Sequence, residues 1–194
     1  MKVGLVGLGR MGRAIVARLK ENGFEVTGWD RDDVAMKAGT DKGMTAAPHP
    51  RAVADSADVV ISIITEDTVY PNGLCFSPDE KILYVNCSRE RLIRAYDVKP
   101  DGTVGPKRLF FQYTGPERGV PDGMKCDSAG NVWCTAPGGI WVHGPSGKPI
   151  CRIKTPGHHP TNIAFGDDDW KTMYVTNIGS VTRFRLNIAG VPSR

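Results

Sequence analysis

Pro71-Asn72-Gly73-Leu74-Cys75-Phe76-Ser77 recurs as Pro121-Asp122-Gly123-Met124-Lys125-Cys126-Asp127 and, more loosely, as Pro160-Thr161-Asn162-Ile163-Ala164-Phe165-Gly166. The copies start at 71, 121 and 160, spacings of 50 and 39 residues. A polar turn follows each, then a β-rich run: Ile-Leu-Tyr-Val at 82–85, Asn-Val-Trp-Cys at 131–134, Thr-Met-Tyr-Val at 172–175. Third strands are expected at 92–98, 139–143 and 181–186, and fourth strands at 108–113 and 150–154. Four short strands per unit, at a period of about 40–50 residues, is the signature of propeller blades. The third unit stops after its third strand. The expectation for 70–194 is an all-β partial propeller of about three blades.

Upstream the pattern changes. Lys2 to Val6 is a short β-branched run followed at once by Gly7-Leu8-Gly9-Arg10-Met11-Gly12, and Ile15, Val16 and Leu19 then fall at helical spacing until Asn22-Gly23. Glu25 to Trp29 reads as a second strand ending at Asp30, 18 residues after Gly12. Strand, glycine loop, helix, strand and acid form the arrangement of a dinucleotide site. The glycines allow close approach to pyrophosphate at a helix N-terminus, and the acid accepts ribose hydroxyls. Further along, 43–47 is read as a third strand, 50–54 as a short helix, and 58–64 as a buried strand through Val59, Val60, Ile61, Ile63 and Ile64. Residues 1–69 are therefore expected to be an α/β half-Rossmann segment of βαβ units.

Composition places the boundary near Val69 and Tyr70. All five cysteines (Cys75, Cys87, Cys126, Cys134, Cys151) and 12 of 14 prolines follow it, and Phe24 and Trp29 are the only aromatic residues before it. The net charge of +4 is mild and scattered, which argues against a nucleic-acid partner. No apolar run approaches the roughly 20 residues of a membrane helix, and the glycine-broken start does not read as a signal peptide. A cytoplasmic protein with reduced thiols is expected. Cys126 and Cys134, flanking a tight hairpin, are the pair that oxidation would join.

Two resemblances follow from these motifs. Gly7-Leu8-Gly9-Arg10-Met11-Gly12, Gly28-Trp29-Asp30-Arg31 and Ala57-Asp58-Val59-Val60-Ile61-Ser62 make 1–68 resemble the NAD(P)-binding N-terminus of the 6-phosphogluconate/β-hydroxyacid dehydrogenase family. That resemblance implies cofactor contacts from Gly7, Gly9, Arg10, Met11, Gly12, Asp30 and Arg31. Asp30 would favour NAD and Arg31 NADP. It also implies further strands and a catalytic lysine that nothing after residue 69 supplies. The stretch 71–85, together with Val120-Pro121-Asp122-Gly123-Met124, Asp127-Ser128-Ala129-Gly130-Asn131-Val132-Trp133 and Ile188-Ala189-Gly190-Val191-Pro192, makes 70–194 resemble the C-terminal half of the senescence-marker-protein/gluconolactonase (regucalcin-like) family of six-bladed propellers.

This second resemblance implies that Asn72 and Asp122 bind one divalent metal, calcium or zinc, and that Asp122 is the catalytic base for hydrolysing a sugar lactone or related ester. An amide oxygen and a carboxylate at matching blade positions suit a hard cation that polarises a carbonyl. The family's other ligand and its substrate-holding residues belong to the first half of the propeller, so activity is expected to suffer. Glu66 and Asp67 lie near enough in sequence to approach the site. The chain as a whole is read as a chimera of two incomplete folds, with an NAD(P)-binding dehydrogenase-like fragment and a non-catalytic fusion as the alternatives to a lactone hydrolase. A homodimer of half-rings would close a six-bladed ring by two-fold symmetry.

Overall fold

Alternating short strands and helices in the first third of the chain give way to hairpins in the rest. The computed structural model describes residues 1–62, 70–100, 104–155 and 159–192. It divides into two compact units, Met1–Glu66 and Asp67–Arg194. Ile63, Ile64, Glu66, Asp67, Val69 and His158 lie outside the described residues.

The first unit runs β1 (Lys2–Val6), α1 (Arg10–Glu21), β2 (Glu25–Trp29), α2 (Asp33–Thr40), β3 (Thr45–Ala46), α3 (Pro50–Asp55), β4 (Val59–Ser62). The strands are all parallel, in the order β3-β2-β1-β4, the order in which doubly wound sheets begin. Leu5, Leu8, Val16, Val26 and Met44 form the core, with Ile15, Leu19 and Phe24 packed against it. Gly12 is required by packing, since a Cβ there would lie 2.1 Å from the Gly7 carbonyl oxygen.

Two departures from the sequence reading have local causes. Helix α2 was not expected, yet Asp32 caps it by accepting hydrogen bonds from the Val34 and Ala35 N–H groups. Strand β4 is not buried as read: Val59 and Val60 are 49% and 41% exposed. It is the edge of the sheet, with no fifth strand beside it among the described residues.

The second unit is built of antiparallel meanders. β5 (Pro71–Phe76), β6 (Ile82–Cys87), β7 (Leu92–Asp97) and β8 (Arg108–Gln112) form the first sheet in chain order. β9 (Met124–Cys126), β10 (Val132–Ala136), β11 (Gly139–His143) and β12 (Pro149–Ile153) form the second. β13 (Pro160–Gly166), β14 (Thr172–Asn177) and β15 (Ser180–Arg185) form a three-stranded third. Cys75, Tyr84, Ile93, Met124, Val132 and Cys134 share one buried cluster between the first two sheets. Trp133, Ile140, Val142, Phe165, Met173 and Val175 do the same between the second and third. The middle meander therefore buries apolar side chains against a neighbour on each side, as blades do, and the outer two each pack against it.

The repeated glycine marks where one sheet meets the next. A Cβ on Gly73 would lie 1.9 Å from the Asp122 carbonyl oxygen, and one on Gly123 would lie 2.1 Å from Asn162 Oδ1. At the matching position of the third repeat stands Asn162, and no later sheet follows it among the described residues. The last described residues fold back: Ser128 N donates to the Ala189 carbonyl at 2.9 Å and Val191 N to that of Cys126 at 3.3 Å.

Candidate functional site

Asn72 lies on β5, and Asp122 lies two residues before β9. The backbone at Asp122 is fixed on both sides: its N–H donates to the Thr135 carbonyl at 2.9 Å and its carbonyl accepts from Asn86 Nδ2 at 2.5 Å. Fully buried Asn86 also accepts from the Gly73 N–H at 3.0 Å. One amide thus bridges the strand of Asn72 to the approach of β9. Ser88 adds a second bridge, accepting from Asn72 Nδ2 at 3.1 Å while its hydroxyl donates to the Pro121 carbonyl at 2.7 Å.

These bridges bring the side chains of Asn72 and Asp122 together. Burial raises the Asp122 carboxyl above its ordinary range, and a hydrogen bond from Asn72 opposes that shift. Asp122 also lines a cavity of about 710 Å³. Its walls include Arg118, Arg152, Lys154, His159 and Thr161. Arg152 is held in place by Glu117, at 2.9 Å, and by the Trp141 ring, whose centroid is 5.2 Å from the guanidinium carbon. The same ion pair holds the Glu117 carboxyl below its usual range. His159, read from the sequence as part of a surface turn, is exposed and contributes to the cavity wall.

The donor chemistry at Asn72 and Asp122 suits a hard cation. An amide and a carboxylate stand side by side, and burial disfavours the carboxylate's charge without a cationic side chain opposing it. Together they offer part of the six to eight oxygens calcium takes. Among the described residues no group of three or more His, Cys, Asp or Glu gathers as a metal cluster.

The glycine loop is placed as its sequence implied. Gly9 caps α1 with no side-chain hydrogen bond, and Arg10 and Met11 open the helix. Asp30 follows β2 and is tied to the loop: Leu8 N donates to its Oδ2 at 2.5 Å and Asp32 N to its Oδ1 at 2.9 Å. Arg31 adjoins it in sequence. Both Asp30 oxygens therefore already hold backbone donors within the first unit.

Sequence reasoning missed Asn86, Ser88, Glu117 and Arg152. A signal existed for Asn86, a polar residue inside the apolar run of β6. Glu117 and Arg152, 35 positions apart, carried none.

Comparison with known proteins finds relatives of both units. A 6-deoxy-6-sulfogluconolactonase of Pseudomonas putida is 32% identical over 117 residues, 59% of this chain and 40% of that protein. An uncharacterized oxidoreductase of Bacillus subtilis is 36% identical over 67 residues, 34% of this chain and 23% of its own length. The crystal structure of regucalcin, a calcium-binding protein from Agrobacterium tumefaciens, superposes with a TM-score of 0.54 at 25% identity, covering 64% of this chain and 48% of that one. The chain thus spans less than half the length of each of these. The model of the SMP-30/Gluconolactonase/LRE-like region matches residues 34–179, beginning within the parallel-sheet unit. That match, over well more than half of the chain, shows that it belongs to the SMP-30/gluconolactonase/LRE-like family.

Proposed function

We infer that the chain carries part of a metal-dependent lactone hydrolase, with Asn72 and Asp122 as two oxygen ligands of a divalent cation and Asp122 as the base. The observation that carries this reading is the Asp122 carboxylate, raised by burial, beside Asn72 at the wall of a cavity of about 710 Å³. When bound, a divalent cation polarises a carbonyl and acidifies a bound water. A carboxylate with a raised pKa is a better proton acceptor at neutral pH, so Asp122 would hold the proton of the attacking water. Arg118, Arg152 and Lys154 on the cavity wall would donate hydrogen bonds to the sugar. Their charge also suits a lactone with an anionic substituent, the class named by the sulfogluconolactonase relative. Calcium- or zinc-dependent hydrolysis of gluconolactone above the chelated baseline, lost in Asp122→Ala, tests the reading; no turnover with any divalent metal overturns it.

A second reading concerns residues 1–69 as a truncated Rossmann segment of separate ancestry, fused to the propeller half at 70–194. The start of α1, where no side chain caps the helix behind the glycine loop, favours NAD or NADP binding there, and the oxidoreductase relative matches over 67 residues. Calorimetry with NADH and NADPH decides it, since no heat with either removes the cofactor. Closure of the ring by a second copy fits the exposed apolar side chains of Leu74 and Phe76 on β5 and Val181 on β15. Light scattering that shows a monomer at high concentration would rule that dimer out.

A further inference from the structure

The five cysteines are free, and two of them meet where the sequence did not place them. Across the β9–β10 hairpin, Cys126 pairs with Val132 and Cys134 with Met124, so Cys126 and Cys134 do not oppose each other. The Cys126 sulfur instead lies 3.7 Å from that of Cys75, on β5 of the adjacent sheet. Both are nearly buried, at 8% and 4% exposure. The remaining thiols are engaged elsewhere or turned outward. Cys134 donates to the Thr135 carbonyl at 3.3 Å, Cys87 accepts from the Glu90 N–H at 3.3 Å, and Cys151 is exposed.

A cleft of about 350 Å³ reaches this pair. Cys75 and Cys126 both line it, with Phe76, Ser77, Phe165 and Trp170. A small oxidant therefore has a route to two sulfurs that are already in contact. The contact with Cys126, reinforced by burial, holds the Cys75 thiol well above the usual range. Cys75 is consequently protonated at neutral pH, and its proton must leave before its sulfur can attack.

We propose that Cys75 and Cys126 are a modification site, closed by a hydroperoxide into a disulfide that ties the first antiparallel sheet to the second. One thiol loses its proton and attacks the peroxide oxygen, giving a sulfenic acid and releasing water or an alcohol. The other sulfur attacks the sulfenic sulfur, the S–S bond forms and water leaves. Two thiols are oxidised by two electrons and one hydroperoxide is reduced. The sulfurs close from 3.7 Å to about 2 Å. Cys75 is three residues beyond Asn72 and Cys126 four beyond Asp122. The bond therefore ties β5, which carries Asn72, to β9, which Asp122 precedes, and its formation does not depend on those residues binding a metal.

The test uses the full chain with Cys151→Ser, which removes the exposed thiol. It is treated with hydrogen peroxide in native buffer, alkylated in denaturant and mapped by mass spectrometry. The expected product is lighter by two hydrogens and carries a Cys75–Cys126 peptide roughly tenfold more abundant than any other pair, a preference that vanishes when oxidation is done in denaturant. Adding Cys75→Ser should abolish the two-hydrogen loss; the map of the parent chain decides the question even if that variant does not fold. Recovery of both cysteines in alkylated form, or a Cys126–Cys134 link, overturns the proposal.

Discussion

His143 shows how one buried side chain sets a pH limit. It is fully buried and surrounded by Phe110, Phe111, Tyr113 and Trp141, the last stacked at an interplanar angle of 10°. Burial pushes its pKa down to about 4, against an ordinary value of 6.5. The unfolded chain therefore binds a proton there that the folded chain refuses. The stabilising contribution is complete above pH 6.5 and is lost as pH falls toward 4, on the order of 3 kcal/mol in all. Urea midpoints measured between these limits should fall with pH, and His143→Leu should flatten that part of the profile. Asp122 behaves in the opposite sense. Its raised carboxyl makes the ionised form the less comfortable one in the fold, so Asp122→Asn should melt no lower than the parent at neutral pH while losing any calcium-induced rise in Tm. A variant that melts well below the parent would mark Asp122 as structural instead.

At the scale of elements, the repeat is a packing device before it is a site. Gly73→Ala would drive a methyl into the Asp122 carbonyl, and Gly123→Ala one into Asn162. Each should destabilise the meander unit by roughly 1–3 kcal/mol or more, read from denaturant midpoints. Gly9→Ala is the control, since nothing lies within 4 Å of a Cβ there; its stability should stay within about 0.5 kcal/mol of the parent. Gly12→Ala should behave like Gly73→Ala, because the added methyl meets the Gly7 carbonyl oxygen. The four substitutions thus separate glycines needed for close approach from one that is not. Strand β4 belongs to the same scale. Its run of valines and isoleucines was legible as a strand, but its exposure was not, because burial depends on what lies beside the sheet edge.

For the whole molecule, two compact units predict two events on heating. Differential scanning calorimetry should resolve two transitions, with calcium raising the one that belongs to the meander unit and NADH leaving that one unmoved. A single transition shifted equally by both ligands would contradict independent units. Much of this architecture was readable in advance. The parallel unit announced itself through local rules, a glycine loop between strand and helix and an Asn-Gly helix stop, which involve residues close in the chain. The meanders did so through a motif repeated at 71, 121 and 160. Legible in the sequence alone were the antiparallel strands of the meanders, an alternation of strands and helices before them, and Asn72 and Asp122 as candidates. Tertiary structure alone decided that Asn86 and Ser88 tie together the segments that carry those two residues, that Arg152 and Glu117 pair beside the cavity, and that Cys126 faces Cys75 rather than Cys134. Those contacts join residues 16 to 51 positions apart, and no periodicity within a strand encodes which residues distant in the chain will meet.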